Sequence, residues 1–123
     1  MKFIKSIIFV SVILCMGFIA NPIKAQNKSP KIVTDSLYVF GVCNMCKDRI
    51  ENAALIGGVK KVSWNKQSQY LTVIYKPAKV TVAKIEDEVV RAGHDTKNKK
   101  AVEKKYLSLP DCCAYRSDDI DIH

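Results

Sequence analysis

Leu37-Tyr38-Val39-Phe40-Gly41-Val42-Cys43-Asn44-Met45-Cys46-Lys47-Asp48-Arg49-Ile50 changes its periodicity at the cysteines. Upstream, Leu37 and Val39 alternate with Tyr38 and Phe40, so residues 36–42 read as a β-strand. Downstream, Ile50, Ala53, Ala54 and Ile56 recur at helical spacing while Lys47, Asp48, Arg49, Glu51 and Asn52 take the polar side. Residues 47–56 therefore read as a helix, stopped by Gly57-Gly58. Two thiols at such a strand-to-helix junction can grip one soft metal ion, or they can cycle as a redox disulfide.

Working outward, residues 59–65 and 70–76 form two strand patterns around the polar turn Lys66-Gln67-Ser68-Gln69, with Val62 and Trp64, then Leu71, Val73 and Tyr75, on one side. They should pair as a hairpin. Thr81 is the expected N-cap of a second helix whose inner stripe is Val82, Ile85 and Val89 and whose end is Gly93. Residues 95–102 read as a short, lysine-rich edge strand, where charge discourages unwanted pairing. The order β-α-β-β-α-β predicts an α+β, ferredoxin-like sandwich: an antiparallel sheet with both helices on one face.

The 123-residue chain opens with two lysines and a nearly unbroken apolar run from Ile7 to Ala20, followed by Asn21-Pro22 and Ala25-Gln26. This reads as a signal peptide over residues 1–25 rather than a spanning helix, removing Cys15 and directing the protein to the periplasm or otherwise out of the cell. Leu14 before Cys15 argues against a lipid anchor. A linker over residues 26–35, a domain over 36–102 and a cysteine-containing tail over 103–123 complete the expected organisation, with no membrane span in the mature form. The formal net charge is +8, but the lysines are scattered and no aromatic-interleaved basic stripe occurs. Nucleic-acid binding is therefore not expected; an acidic protein partner fits better.

Four cysteines remain after the leader: Cys43, Cys46, Cys112 and Cys113. An even set in an exported protein ordinarily signals structural disulfides. Here the spacing argues otherwise, because a bridge within Cys-x-x-Cys closes a very short loop and a vicinal bridge is strained.

Gly41-Val42-Cys43-Asn44-Met45-Cys46, with Lys47 to Ala53, Gly58-Val59 and Ala92-Gly93-His94-Asp95, resembles the heavy-metal-associated domain family of copper chaperones, metal-pumping ATPase domains and periplasmic mercury-binding proteins. The resemblance covers residues 36–102. It implies that Cys43 and Cys46 bind monovalent copper or another soft ion and pass it to a metal-transporting ATPase or other acceptor by ligand exchange. The family usually carries Met-Thr before its first cysteine, the Met plugging the core beneath the loop. Gly41-Val42 in that place predicts a more mobile loop.

Soft thiolates favour monovalent copper over the oxygen-seeking ions. Cys46, in the first helical turn, is expected to be the favoured thiolate, and Cys43 the more exposed entry ligand. Met45 reads as an apolar shield of the site. The resemblance places His94 beside the metal loop as a candidate third ligand. Cys112 and Cys113 are candidate further ligands or a disulfide gate if Pro110 turns the tail back; the alternative for them is a separate vicinal bridge or anchor. Lys47 is a candidate for steering an acidic acceptor. Two thiolates alone underfill the tetrahedral shell of Zn(II), which ranks Cu(I) first and leaves Hg(II) allowed. Convergence of all four cysteines and His94 would bring Zn(II) back.

The enzymatic alternative is a thiol-disulfide oxidoreductase attacking through Cys43, but Val42 stands where such enzymes carry an aromatic, and neither Pro77 nor Pro110 starts a late strand beside the site. A non-enzymatic carrier is expected. A third class, a module in which the metal only holds the fold, is disfavoured by an apolar pattern that is complete without it.

Overall fold

The computed structural model describes residues 30–117, so the expected leader, Cys15, the first four residues of the linker and the last acidic residues lie outside the described residues. Strand β1 spans Val33–Tyr38, helix α1 Asn44–Ala54, β2 Val59–Trp64, β3 Tyr70–Tyr75 and α2 Val82–Arg91. A short helix α3, Glu103–Leu107, and a 3₁₀ turn, Asp111–Cys113, follow. The sheet is antiparallel in the order β1-β3-β2, with Leu37 opposite Leu71 and Trp64 also opposite Leu71 across the central strand.

The period-2 pattern carries through: Leu37, Val39, Leu71, Val73 and Tyr75 are buried. Ile50 and Ala54 of α1 and Ile85 and Val89 of α2 cover that face, and the two helices touch each other. This is the α+β, ferredoxin-like architecture. Thr81 caps α2 by accepting from the Lys84 N–H at 3.2 Å. Asn65 builds the β2–β3 turn, its Oδ1 accepting from Gln67 N–H at 3.0 Å and Ser68 N–H at 2.9 Å.

The expected edge strand over residues 95–102 is not a strand. Only Thr96 pairs, in an isolated antiparallel bridge to Val39. Side chains supply the reason, by competing for the backbone donors that a ladder would need. Asp95 Oδ1 accepts from Ala101 N–H at 2.8 Å, and Thr96 Oγ1 accepts from Lys99 N–H at 3.0 Å, curling the segment into a turn. Glu86, on the otherwise apolar side of α2, is buried because it holds that turn by accepting from Thr96 Oγ1 at 2.5 Å. The first strand also starts earlier and ends sooner than residues 36–42, and α1 begins at Asn44 rather than at Lys47.

Candidate metal centre

Beyond β1 the chain passes through Gly41 and enters α1 with Cys43 as its N-cap residue, φ −138° and ψ 172°. Gly41 has no room for a side chain: a Cβ there would lie 2.9 Å from two ring carbons of Trp64. Trp64 is buried and donates from Nε1 to the Val39 carbonyl at 3.1 Å. Gln69 clamps the same glycine, Oε1 accepting from its N–H at 2.9 Å and Nε2 donating to its carbonyl at 2.6 Å. The loop is thus packed rather than loose. The indole ring occupies the space beneath it that Gly41 vacates.

Four free thiols converge above this platform. Cys43 Sγ lies 3.3 Å from the Sγ atoms of each of Cys46, Cys112 and Cys113. Cys112 and Cys113 are 4.0 Å apart, and Cys43, Cys112 and Cys113 are all mutually within 4.8 Å. A covalent disulfide would need about 2.05 Å. Cys112 Sγ also donates to the Met45 thioether at 3.5 Å.

The expected thiolate preference for Cys46 over Cys43 is reversed, while the expected order of exposure holds, Cys43 at 6% and Cys46 at 0%. Cys43 is buried, because the tail thiols cover it, and Cys112 is the exposed member of the set. Burial raises the Cys43 thiol, yet the Cys46 backbone N–H and hydrogen bonds from the three neighbouring thiols outweigh that and bring it down to about 7. Cys46, already inside α1 and without solvent exposure, is pushed up by burial. Burial also raises Cys113, followed by its bonds to Cys46 and Cys43, and Cys112 is raised by its bond to Cys43. Within the cluster Cys43 is the thiol poised to ionise first.

His94 has no solvent exposure and stacks on Tyr115 with ring centroids 5.4 Å apart. Nδ1 donates to the Phe40 carbonyl at 2.8 Å, which leaves Nε2 unprotonated and without a hydrogen-bond partner among the described residues. It does not join the mutually close thiols. Burial, with Arg49 adding to it against the Phe40 bond, holds the ring down to about 4. A proton that the unfolded imidazole accepts at 6.5, but the folded one refuses until about pH 4, corresponds to about 3 kcal/mol. The folded pKa is the lower one, so the loss begins as pH falls through 6.5 and is complete near 4. Urea titrations of the reduced, metal-free protein should show this loss, and His94→Gln should flatten it. Asp95 acts in a separate window. Burial raises its carboxyl, but Arg116 and the Ala101 N–H hold it below the ordinary 3.8, so its contribution is lost only below that value.

Lys47 forms an ion pair with Glu51 and donates to the Trp64 carbonyl at 3.0 Å, while Glu51 accepts from the Trp64 N–H at 2.7 Å. The lysine assigned to steering is therefore engaged in fastening α1 to β2.

Reading the sequence by elements missed the tail's anchor. Tyr115 donates to the Gly93 carbonyl at 2.7 Å and accepts from the Asp95 N–H at 2.8 Å. Arg116 grips Asp95 with two bonds, Nε to Oδ2 at 2.9 Å and Nη2 to Oδ1 at 2.6 Å. Its guanidinium also lies 4.3 Å over the Tyr106 ring. The available signal was an aromatic and an arginine, Tyr115 and Arg116, one residue beyond the cysteine pair in the segment read as a cysteine-containing tail.

Among solved structures, the CopZ metallochaperone is 30% identical, with a TM-score of 0.50, and the match covers 52% of this chain and 98% of that one. The chain belongs to the heavy-metal-associated domain family. A solution structure from Bacillus anthracis str. Ames, 24% identical, shares the heavy-metal-associated fold with a TM-score of 0.51 over 54% of this chain and 96% of that one. No family model matches the sequence, and no curated protein does. Both structural matches cover about half of this chain.

Proposed function

We propose that this protein is an exported carrier of soft metal ions that binds one monovalent copper ion through Cys43 and Cys46 and hands it on, or stores it, by thiolate ligand exchange. The observation that carries the reading is the Cys43–Cys46 pair, 3.3 Å apart at the opening of α1, in a domain 30% identical to the CopZ metallochaperone. Paired thiolates select soft ions. The acceptor would be a metal-transporting ATPase domain or another protein offering thiols, and the place of action the periplasm. Among the described residues no helix is long and apolar enough to cross a membrane.

Two further features support a carrier over a thiol-disulfide oxidoreductase. Cys43 faces three thiols at once, so its sulfur is arranged for shared ligation as much as for attack on one disulfide. Val42, immediately before it, is buried in the core. Zinc is the second reading, favoured by the convergence of four thiols, because a tetrahedral thiolate shell is a structural zinc shell. Hg(II) fits the same donors.

Anaerobic titration of the reduced protein with Cu(I), read by thiolate absorption and native mass, should give one tightly held ion. Cys43→Ser, Cys46→Ser should lose it. Turnover of a small disulfide substrate without metal binding would instead make the pair an oxidoreductase centre, and retention of Zn(II) in the presence of Cu(I) would select zinc.

A further inference from the structure

Metal exchange at an open pair of thiolates needs room for an incoming ligand, yet here the room is taken. The 3₁₀ turn Asp111–Cys113 sits against α1 and places two more sulfurs 3.3 Å from Cys43. The turn is fastened from both sides. Before it, Leu109 packs on Gly93, which at φ +107° has no side chain to obstruct it. After it, Tyr115 and Arg116 tie the chain to Gly93 and Asp95 by the bonds given above. Arg116 is four residues from Cys112 and three from Cys113, so the Asp95 carboxylate fixes the height at which both thiols meet the loop.

We propose that Cys112 and Cys113 are ligands of the same ion as Cys43 and Cys46, and that the Arg116–Asp95 pair is a latch that holds this tail over the site and slows the ion's release. The proposal rests on the soft-metal reading of Cys43 and Cys46 and turns their open pair into a closed thiolate cage. Cys43, touching all three partners, is the common ligand. Cys112, exposed and donating to Met45, is the door. A donor's or acceptor's thiol reaches Cys112 before the buried sulfurs. Each cage sulfur that binds releases its proton to solvent as its bond to the ion forms, one bond from the ion to the donor's ligand breaks in exchange, and no electron moves.

The cage takes an ion that accepts three or four thiolates, as Cu(I) and the d¹⁰ divalent ions do. The latch is a positioning device, since Arg116 reaches the site only through the backbone of the tail. Loss of an outer support of this kind typically weakens metal binding about 10- to 100-fold.

The test uses the full reduced chain with one equivalent of Cu(I) supplied as a chelate, followed by iodoacetamide and mass mapping of the thiols that escape alkylation. Protection of the exposed Cys112, absent from the metal-free chain treated in the same way, is the expected result. Cys112→Ser, Cys113→Ser, whose fold is checked by circular dichroism, should keep the ion but release it to a competing chelator at least about tenfold faster. Arg116→Ala should raise the release rate similarly while leaving the thiols intact, and Arg116→Lys, which keeps the charge but not the paired bonds, should restore part of the delay. If the ion binds with only Cys43 and Cys46 protected, and the tail variants release it no faster, the cage and latch are wrong while the copper site stands. If no ion binds at all, the copper reading falls and this proposal with it.

Discussion

Cys43→Ser should weaken Cu(I) binding more than any other single cysteine replacement, by more than the roughly 100-fold that loss of an outer support can cost. The rank follows from the sulfur geometry. Cys43 is within 3.3 Å of three other sulfurs, whereas Cys112 and Cys113 lie 4.0 Å from one another. Removing Cys43 takes away the thiolate that every other ligand must share an ion with, and it also removes the thiol that ionises first, near 7. Cys46→Ser leaves Cys43 with two partners from the tail, so a three-sulfur site shrinks but survives. Cys112→Ser leaves three sulfurs as well. Competition against a Cu(I) chelator, with serine at each of the four positions in turn, gives the ranking. Equal losses at Cys43 and Cys46, with none at Cys112 or Cys113, would show that the loop pair alone holds the ion and that the hub has no meaning.

The same comparison exposes what sequence periodicity could carry. The helix stripes, the hairpin, the Thr81 cap and the meeting of Cys43 with Cys46 at a strand-to-helix junction are local patterns, each written within a few residues, and all are present. The failures are tertiary. The burial of Cys43 depends on a segment 69 residues away, and no period reports that. The 95–102 strand failed because Asp95 and Thr96 side chains claim the backbone donors, which a lysine-rich edge pattern conceals. His94 was placed near the metal loop by resemblance. Its full burial, and the tautomer forced by the Phe40 carbonyl, follow from packing between Tyr115 and the loop and not from its neighbours in sequence.

Trp64→Ala should destabilise the domain by about 3–5 kcal/mol, the usual cost of removing a fully buried large aromatic, and on a domain this small that is a large share of a typical total of roughly 5–15 kcal/mol. Trp64 is the chain's only tryptophan, so circular dichroism in urea, not fluorescence, is the readout. The interest lies in what the ring supports. Its outer carbons occupy the space beside Gly41, and its Nε1 holds the Val39 carbonyl at the end of β1. The two residues are therefore complementary, one large because the other has no side chain. Gly41→Ala in the native background forces a methyl to within 2.9 Å of the ring and should cost about 1–3 kcal/mol as overpacking. Trp64→Phe removes the ring carbons that would clash, at the cost of a cavity and the Val39 hydrogen bond. In that background the alanine methyl has space to enter and the penalty at position 41 should shrink or reverse. A double-mutant cycle should then give a favourable coupling of about 0.5–3 kcal/mol, the range for residues in contact. Additive costs would mean that the glycine is required for its backbone and not for the ring, and the platform beneath the thiols would have to be sought in the Gln69 clamp instead.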